Sequence, residues 1–166
     1  MSKLTLRGTA VNTIGELPAV GSKAPDFSLV GINLADVKNS DFLGNRVILN
    51  IFVSLDTSTC AASVRKFNVE ASKLDNAVVV CISKDLPFAH SRFCTTEGIA
   101  NVVSASEFRS NSFGKSYGVM MVDGPLQGLL ARSVVVLDTD GTVLYSSFVA
   151  EITEEPDYQS ALDSLK

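Results

Sequence analysis

The sequence has no Cys-x-x-Cys pair, one histidine, His90, and only three cysteines, Cys60, Cys81 and Cys94. A closed zinc site therefore lacks ligands at familiar spacing. An odd, low cysteine count does not suit a disulfide-stapled secreted scaffold either. The longest near-continuous apolar run, Val47–Val53, is far short of the ~18 residues a membrane helix needs. Met1-Ser2-Lys3 is followed by neither an apolar segment nor a small-residue cleavage site, so the expected location is the cytoplasm. Basic residues number 14 against 18 acidic ones, a formal charge of −4. That balance argues against nucleic acid or any other phosphate-rich partner. Repeats, low-complexity tracts and Pro/Gly/Ser-rich linkers are absent too. What is present is 166 residues, 46 % of them hydrophobic. That suffices for one core and predicts a single domain over 1–166.

Short alternations at Leu4-Thr5-Leu6 and Ala10-Val11-Asn12, with Gly8-Thr9 between them, predict a hairpin. A looser stretch with Pro18, Gly21 and Pro25 follows. Val47–Val53 is β-branched-rich and apolar on both faces, as in a central strand. Val64, Phe67, Ala71 and Leu74 are spaced 3, 4 and 3, one helical stripe, and Cys60 lies one turn before Val64 on it. Ala77–Ser83 reads as a second buried strand, and Asp85 and Pro87 as the start of another helix carrying Phe88, His90, Phe93 and Cys94. A Ser- and Gly-rich helical stretch is expected from about Ser106 to Tyr117. Ser133–Leu137 and Val143–Phe148 then form a hairpin around Asp138-Thr139-Asp140-Gly141, and Pro156 opens a last helix. This order predicts an α/β sandwich of mixed strands, a thioredoxin-like core with an N-terminal β-hairpin extension.

Four patterns are set aside. Gly114-Lys115-Ser116 is half of a phosphate loop, but Arg109 stands where the first glycine belongs. Asp138-x-Asp140-Gly141 opens like a calcium loop that no glutamate closes. His90 and Cys94, at i and i+4, could form a nucleophile pair; a polar residue on an exposed helix face is the simpler reading. The acidic run Glu151 to Asp157 reads as a solvated connection.

Cys60 is the strongest single feature. In the first turn of a helix, unpaired N–H groups and the positive dipole end favour a thiolate, the form that attacks. Position alone fits a small apolar filler equally well.

From Asn50 the chain reads Asn-Ile-Phe-Val-Ser-Leu-Asp-Thr-Ser-Thr-Cys-Ala-Ala-Ser-Val-Arg-Lys-Phe-Asn. Later come Cys81-Ile-Ser-Lys-Asp-Leu-Pro-Phe-Ala-His-Ser-Arg-Phe-Cys94 and Asp123-Gly-Pro-Leu-Gln-Gly-Leu-Leu-Ala-Arg132. These stretches resemble the thiol peroxidase branch of the peroxiredoxins, the atypical two-cysteine bacterial enzymes. The resemblance runs along essentially the whole chain. It implies a thioredoxin-fold homodimer that reduces hydroperoxides, preferably alkyl hydroperoxides, with thioredoxin as reductant and no metal, haem or flavin. It further implies that Cys60 is the peroxidatic cysteine and Cys94 the resolving one. Thr57 would hydrogen-bond thiolate and peroxide, and Arg132 would stabilise the thiolate and polarise the peroxide oxygens. Cys81 lies in a buried apolar strand and reads as inert filler. A Cys60–Cys94 disulfide requires Cα atoms within about 7 Å, so local unwinding around both cysteines is expected before closure.

One position departs from the pattern Pro-x-x-x-Thr-x-x-Cys: Val53 stands at the proline. Valine keeps apolar cover but restores an N–H and frees the backbone, so the strand is expected to extend further and the pocket to be less ordered. The departure leaves room for an alternative, a peroxide sensor or weakened-turnover thiol protein on the same fold. A general thiol–disulfide oxidoreductase is disfavoured, because that chemistry prefers Cys-x-x-Cys at the helix start.

Overall fold

The computed structural model describes residues 3–165, with only the backbone described at Lys3. Strands β1 (Lys3–Leu6) and β2 (Thr9–Asn12) form a separate antiparallel hairpin. Its turn is Arg7-Gly8, both at positive φ (50° and 83°), the conformation that matches strand twist in a two-residue hairpin. The turn thus sits one residue earlier than expected, and Thr9 pairs with Leu6.

The main sheet contains β3 (Ser28–Gly31), β4 (Asp36–Lys38), β5 (Arg46–Ile51), β6 (Ala77–Ser83), β7 (Val102–Ser106), β8 (Ser133–Leu137) and β9 (Val143–Phe148). Their order is β4-β3-β7-β6-β5-β8-β9. Strands β5, β6 and β7 run parallel, and the remaining pairings are antiparallel. Helices α1 (Ser58–Ala71), α2 (Pro87–Glu97), α3 (Ser112–Ser116) and α4 (Tyr158–Asp163) complete the fold. Among the described residues no helix is long and apolar enough to cross a membrane.

The double-sided apolar character of β5 follows from cover on both faces. Ile48 and Phe52 join Val64 and Phe67 of α1, Phe93 of α2, Ala161 of α4 and the hairpin's Leu4 and Val11 in one core. Val47, Leu49 and Ile51 face a second core, built with Phe113 of α3, Tyr117 and Leu130. Pro87 at the start of α2 has no N–H to lose there, and Gly98 closes that helix in the left-handed region at φ 65°.

Several expectations are corrected. Strands β3, β4 and β7 were not foreseen. The first two are four and three residues long, and β7 reads Val-Val-Ser-Ala-Ser, too weakly apolar to signal a strand. The helix expected from Ser106 begins only at Ser112. Strand β5 ends at Ile51 and does not extend through Val53. After Phe52, Ser54 and Leu55 are drawn aside by hydrogen bonds to Asp85.

Candidate active site

The first turn of α1 forms part of the floor of a cleft of about 780 Å³. Thr57, Ser58 and Thr59 line it, together with Val53, Arg132 and Ile152. Leu6, Arg7 and Val11 of the hairpin and Pro125 and Leu126 supply further wall. The hairpin therefore shapes the cleft, a role that its sequence does not announce.

Cys60 is the third residue of α1 and is 0 % exposed, just behind that floor and in contact with the core. Thr57 takes the position before the helix with extended backbone. Its hydroxyl donates to the Ser54 carbonyl at 2.9 Å, so it braces the turn into α1. Arg132, immediately before β8, is 2 % exposed although it reaches the cleft. Its Nε donates to the Ile152 carbonyl at 3.0 Å, and its Nη1 has no hydrogen-bond partner among the described residues. A buried guanidinium with a donor in reserve suits an incoming oxygen that gains negative charge.

Tyr158 of α4 was not singled out from the sequence as a site residue. Burial pushes its hydroxyl above the usual phenol range, and its hydrogen bond to Glu155 at 2.7 Å adds to that. The charge of Arg132 opposes the shift and Cys60 reinforces it, so Tyr158 lies within electrostatic reach of both. No spacing pattern links Tyr158 to Cys60, and their proximity exists only once α4 packs on Phe67 (ring centroids 5.1 Å apart).

The other two thiols differ. Cys81 is buried on β6, with the Asn50 Nδ2 3.7 Å from its sulfur. Burial pushes this thiol up to about 12, and the Asn50 contact offsets only part of that. It stays protonated near neutrality. Cys94, in the last turn of α2, is half-buried, and its sulfur is 3.5 Å from the Ser104 hydroxyl. All three thiols are free; Cys60 of α1 lies within the first core and Cys94 of α2 packs, partly buried, against that same core.

His90 does not lie on an exposed helix face. It is 1 % exposed, its Nε2 is 3.1 Å from the Ser83 hydroxyl, and burial lowers its pKa to about 4. Its ring turns into the core beneath α2, with its centroid 6.2 Å from that of Phe52. Glu151 is likewise more than a solvated connection. Its carboxylate accepts from the Thr5 hydroxyl (2.5 Å), the Arg7 amide (2.7 Å), the Gly8 amide (3.2 Å) and the Thr153 hydroxyl (2.8 Å). These bonds lower its pKa to about 2. In the discarded phosphate-loop pattern, the Gly114 amide donates to the Glu107 carboxylate. Among the described residues no three His, Cys, Asp or Glu side chains gather as a metal site.

Residues 19–162 match the redoxin family model. Thiol peroxidases of Mycobacterium bovis and Mycobacterium tuberculosis are 54 % identical to the chain over 165 residues, covering 99 % of this chain and of each relative. A peroxiredoxin-like protein from Aquifex aeolicus superposes with a TM-score of 0.93 at 35 % identity, over 99 % of this chain and 96 % of that one. A thiol peroxidase from Chromobacterium violaceum, at 22 % identity, shares the fold with a TM-score of 0.91, over 99 % and 96 % of the two chains.

Proposed function

The chain belongs to the redoxin family as a peroxiredoxin of the thiol peroxidase kind, and from that premise we propose that it reduces hydroperoxides, preferably alkyl hydroperoxides, through Cys60 and Cys94. One observation carries the assignment: a buried arginine with an unpaired Nη1 beside an apolar cleft whose floor is the turn containing Cys60.

The Cys60 thiolate attacks one peroxide oxygen in line. The S–O bond forms as the O–O bond breaks, and the departing alkoxide takes a proton to leave as an alcohol. Sulfur is oxidised to the sulfenic acid. Negative charge develops on the leaving oxygen, where fixed donors act most strongly because they need not reorganise. Arg132 supplies such a donor, and Thr57 shapes the turn beneath it. The Cys94 thiol then attacks the sulfenic sulfur, forming a disulfide and releasing water. An external dithiol, proposed to be thioredoxin, returns both cysteines to thiols and is itself oxidised. Cys81, protonated and buried, takes no part. The proposal extends to one domain over 1–166, acting as a homodimer in the cytoplasm.

Val53 supports a second reading. It is 4 % exposed and lines the cleft at the place of the motif proline. A valine there, without the ring that would order the turn, fits a protein with a slower first step and weakened turnover, oxidised without efficient recycling as a sensor would be.

One experiment tests both. Reduced protein is treated with stoichiometric cumene hydroperoxide, the disulfide is mapped by mass spectrometry, and turnover with thioredoxin and its reductase is followed. A Cys60–Cys94 disulfide with many turnovers is expected. A single turnover favours the sensor, and an unoxidised Cys60 overturns both readings.

A further inference from the structure

Asp85 stands between β6 and α2, outside the cleft, and its carboxylate collects bonds from two separate segments. Oδ1 accepts from the Ser54 hydroxyl at 2.9 Å, and Oδ2 accepts from the Leu55 amide at 2.9 Å. Oδ2 also accepts from the Ser83 hydroxyl at 2.5 Å. Ser83 has one proton and gives it to Asp85, so the oxygen 3.1 Å from His90 Nε2 must be the acceptor there. The imidazole is thereby held with its proton on Nε2.

The chain of contacts continues in both directions. The Ser54 carbonyl accepts from the Thr57 amide at 3.2 Å and from the Thr57 hydroxyl at 2.9 Å, which fixes the turn into α1. The Ser54 hydroxyl accepts from the Asp56 amide at 3.1 Å. On the other side, His90 is the fourth residue of α2, and Cys94 lies one turn further along the same helix. A single carboxylate therefore ties the turn that presents Cys60 to the helix that carries Cys94.

We propose that Asp85 is a positioning residue that holds the turn before Cys60 in its peroxide-reactive shape and, through Ser83 and His90, keeps α2 seated until that reaction is over. This rests on the reading of Cys60 and Cys94 as the reacting pair. The two chemical steps make opposite demands on the clamp. Attack on peroxide needs Thr57 and the first turn of α1 ordered, since small displacements of reacting groups are costly. Disulfide closure asks for the Cα atoms of two cysteines carried on separate intact helices to come within about 7 Å, which local unwinding of α2 favours. Loosening the clamp must then slow the first step and speed the second. A purely structural residue would slow both.

The test is Asp85→Ala, with rapid quench, thiol trapping and mass spectrometry. One series measures Cys60 oxidation by cumene hydroperoxide. Another measures closure of the sulfenic acid to the Cys60–Cys94 disulfide. Oxidation is expected to slow by about tenfold or more, and closure to accelerate severalfold, with less sulfinic acid at excess peroxide. Should Asp85→Ala fail to fold, Asp85→Asn keeps the shape and one carbonyl acceptor, and smaller changes of the same two opposite signs are expected. Parallel slowing of both steps, or two unchanged rates, overturns the proposal. A wild-type protein that forms no Cys60–Cys94 disulfide overturns the underlying reading instead.

Discussion

Arg132 donates through Nε to the Ile152 carbonyl at 3.0 Å, while its Nη1, equally buried, has no partner among the described residues. An unsatisfied buried donor costs about 1–3 kcal/mol, more when charged. The fold bears that cost at the edge of the cleft. Lysine there would keep the charge but lose the planar fork that grips Ile152 with one nitrogen and leaves another free. Arg132→Lys is expected to slow Cys60 oxidation by roughly 10²–10³, the usual loss for one donor to a developing oxyanion. Competition kinetics with a reference peroxidase would measure this, and a rate within threefold of wild type would remove Arg132 from the mechanism.

His90 makes stability depend on pH in a definite window. Its pKa is near 6.5 in an unfolded chain and about 4 when buried; the nearby Asp85 carboxylate raises it, but burial outweighs that. Between those values the unfolded chain binds the extra proton, so stability falls as pH drops from about 6.5 through 4. At roughly 1.4 kcal/mol per pH unit, the full effect is on the order of 3 kcal/mol. Urea midpoints of wild type should decline over this range more steeply than those of His90→Gln. Parallel curves for the two proteins would refute the assignment.

These two residues show what the sequence could and could not disclose. Strands β5, β6, β8 and β9 and helices α1, α2 and α4 were legible because each carries a run or stripe long enough to set a period. Cys60 was legible as a thiol in the first turn of a helix. Arg132 was legible only by resemblance, since nothing in its own neighbourhood marks a cation whose anchor is a backbone carbonyl twenty residues away. His90 was misjudged because its partner Ser83 lies in a different element, and helical spacing cannot reveal which face a strand's hydroxyl will meet. Glu151 and Asp85 belong to the same class. Each accepts from an amide and a hydroxyl of a segment distant in sequence (Leu55 and Ser54 for Asp85, Arg7 and Thr5 for Glu151), pairings that leave no spacing signature.

Glu151 extends the pH argument to lower values. Its hydrogen bonds to Thr5, the Arg7 amide, Thr153 and the Gly8 amide hold its folded pKa near 2, below the usual 4.5. A depressed carboxylate contributes stability that is fully present above about 4.5 and is lost as pH falls through about 2. Thr5 and Ile152 reinforce the same seam, with the Thr5 amide 2.8 Å from the Ala150 carbonyl and the Ile152 amide 2.9 Å from the Thr5 carbonyl. Glu151→Gln is expected to raise amide exchange across β1 and β2 at neutral pH while leaving β5 and β6 unchanged. Its acid unfolding should also be shallower than that of wild type between pH 4.5 and 2. Unaltered exchange in the hairpin would show that the carboxylate is not what secures this wall of the cleft.

Val53 offers a gain-of-function test. The amide of Phe52 makes the last bond from this strand to β6, at 3.1 Å to the Ile82 carbonyl. Proline one residue later therefore removes no bond of the sheet, which is where its missing N–H would otherwise be felt. Its ring would fix φ and keep apolar cover at a position already 4 % exposed and facing the cleft. A stiffer backbone four residues before Thr57 should hold the turn into α1 closer to its reactive shape. Val53→Pro is expected to raise the second-order rate of Cys60 oxidation on the order of tenfold. The gain should be larger for a bulky alkyl hydroperoxide, which touches more of the cleft wall, than for hydrogen peroxide. An unchanged rate with both oxidants would mean that valine already orders the pocket as well as proline does, and would remove the only ground for treating this chain as a slow peroxidase or a sensor.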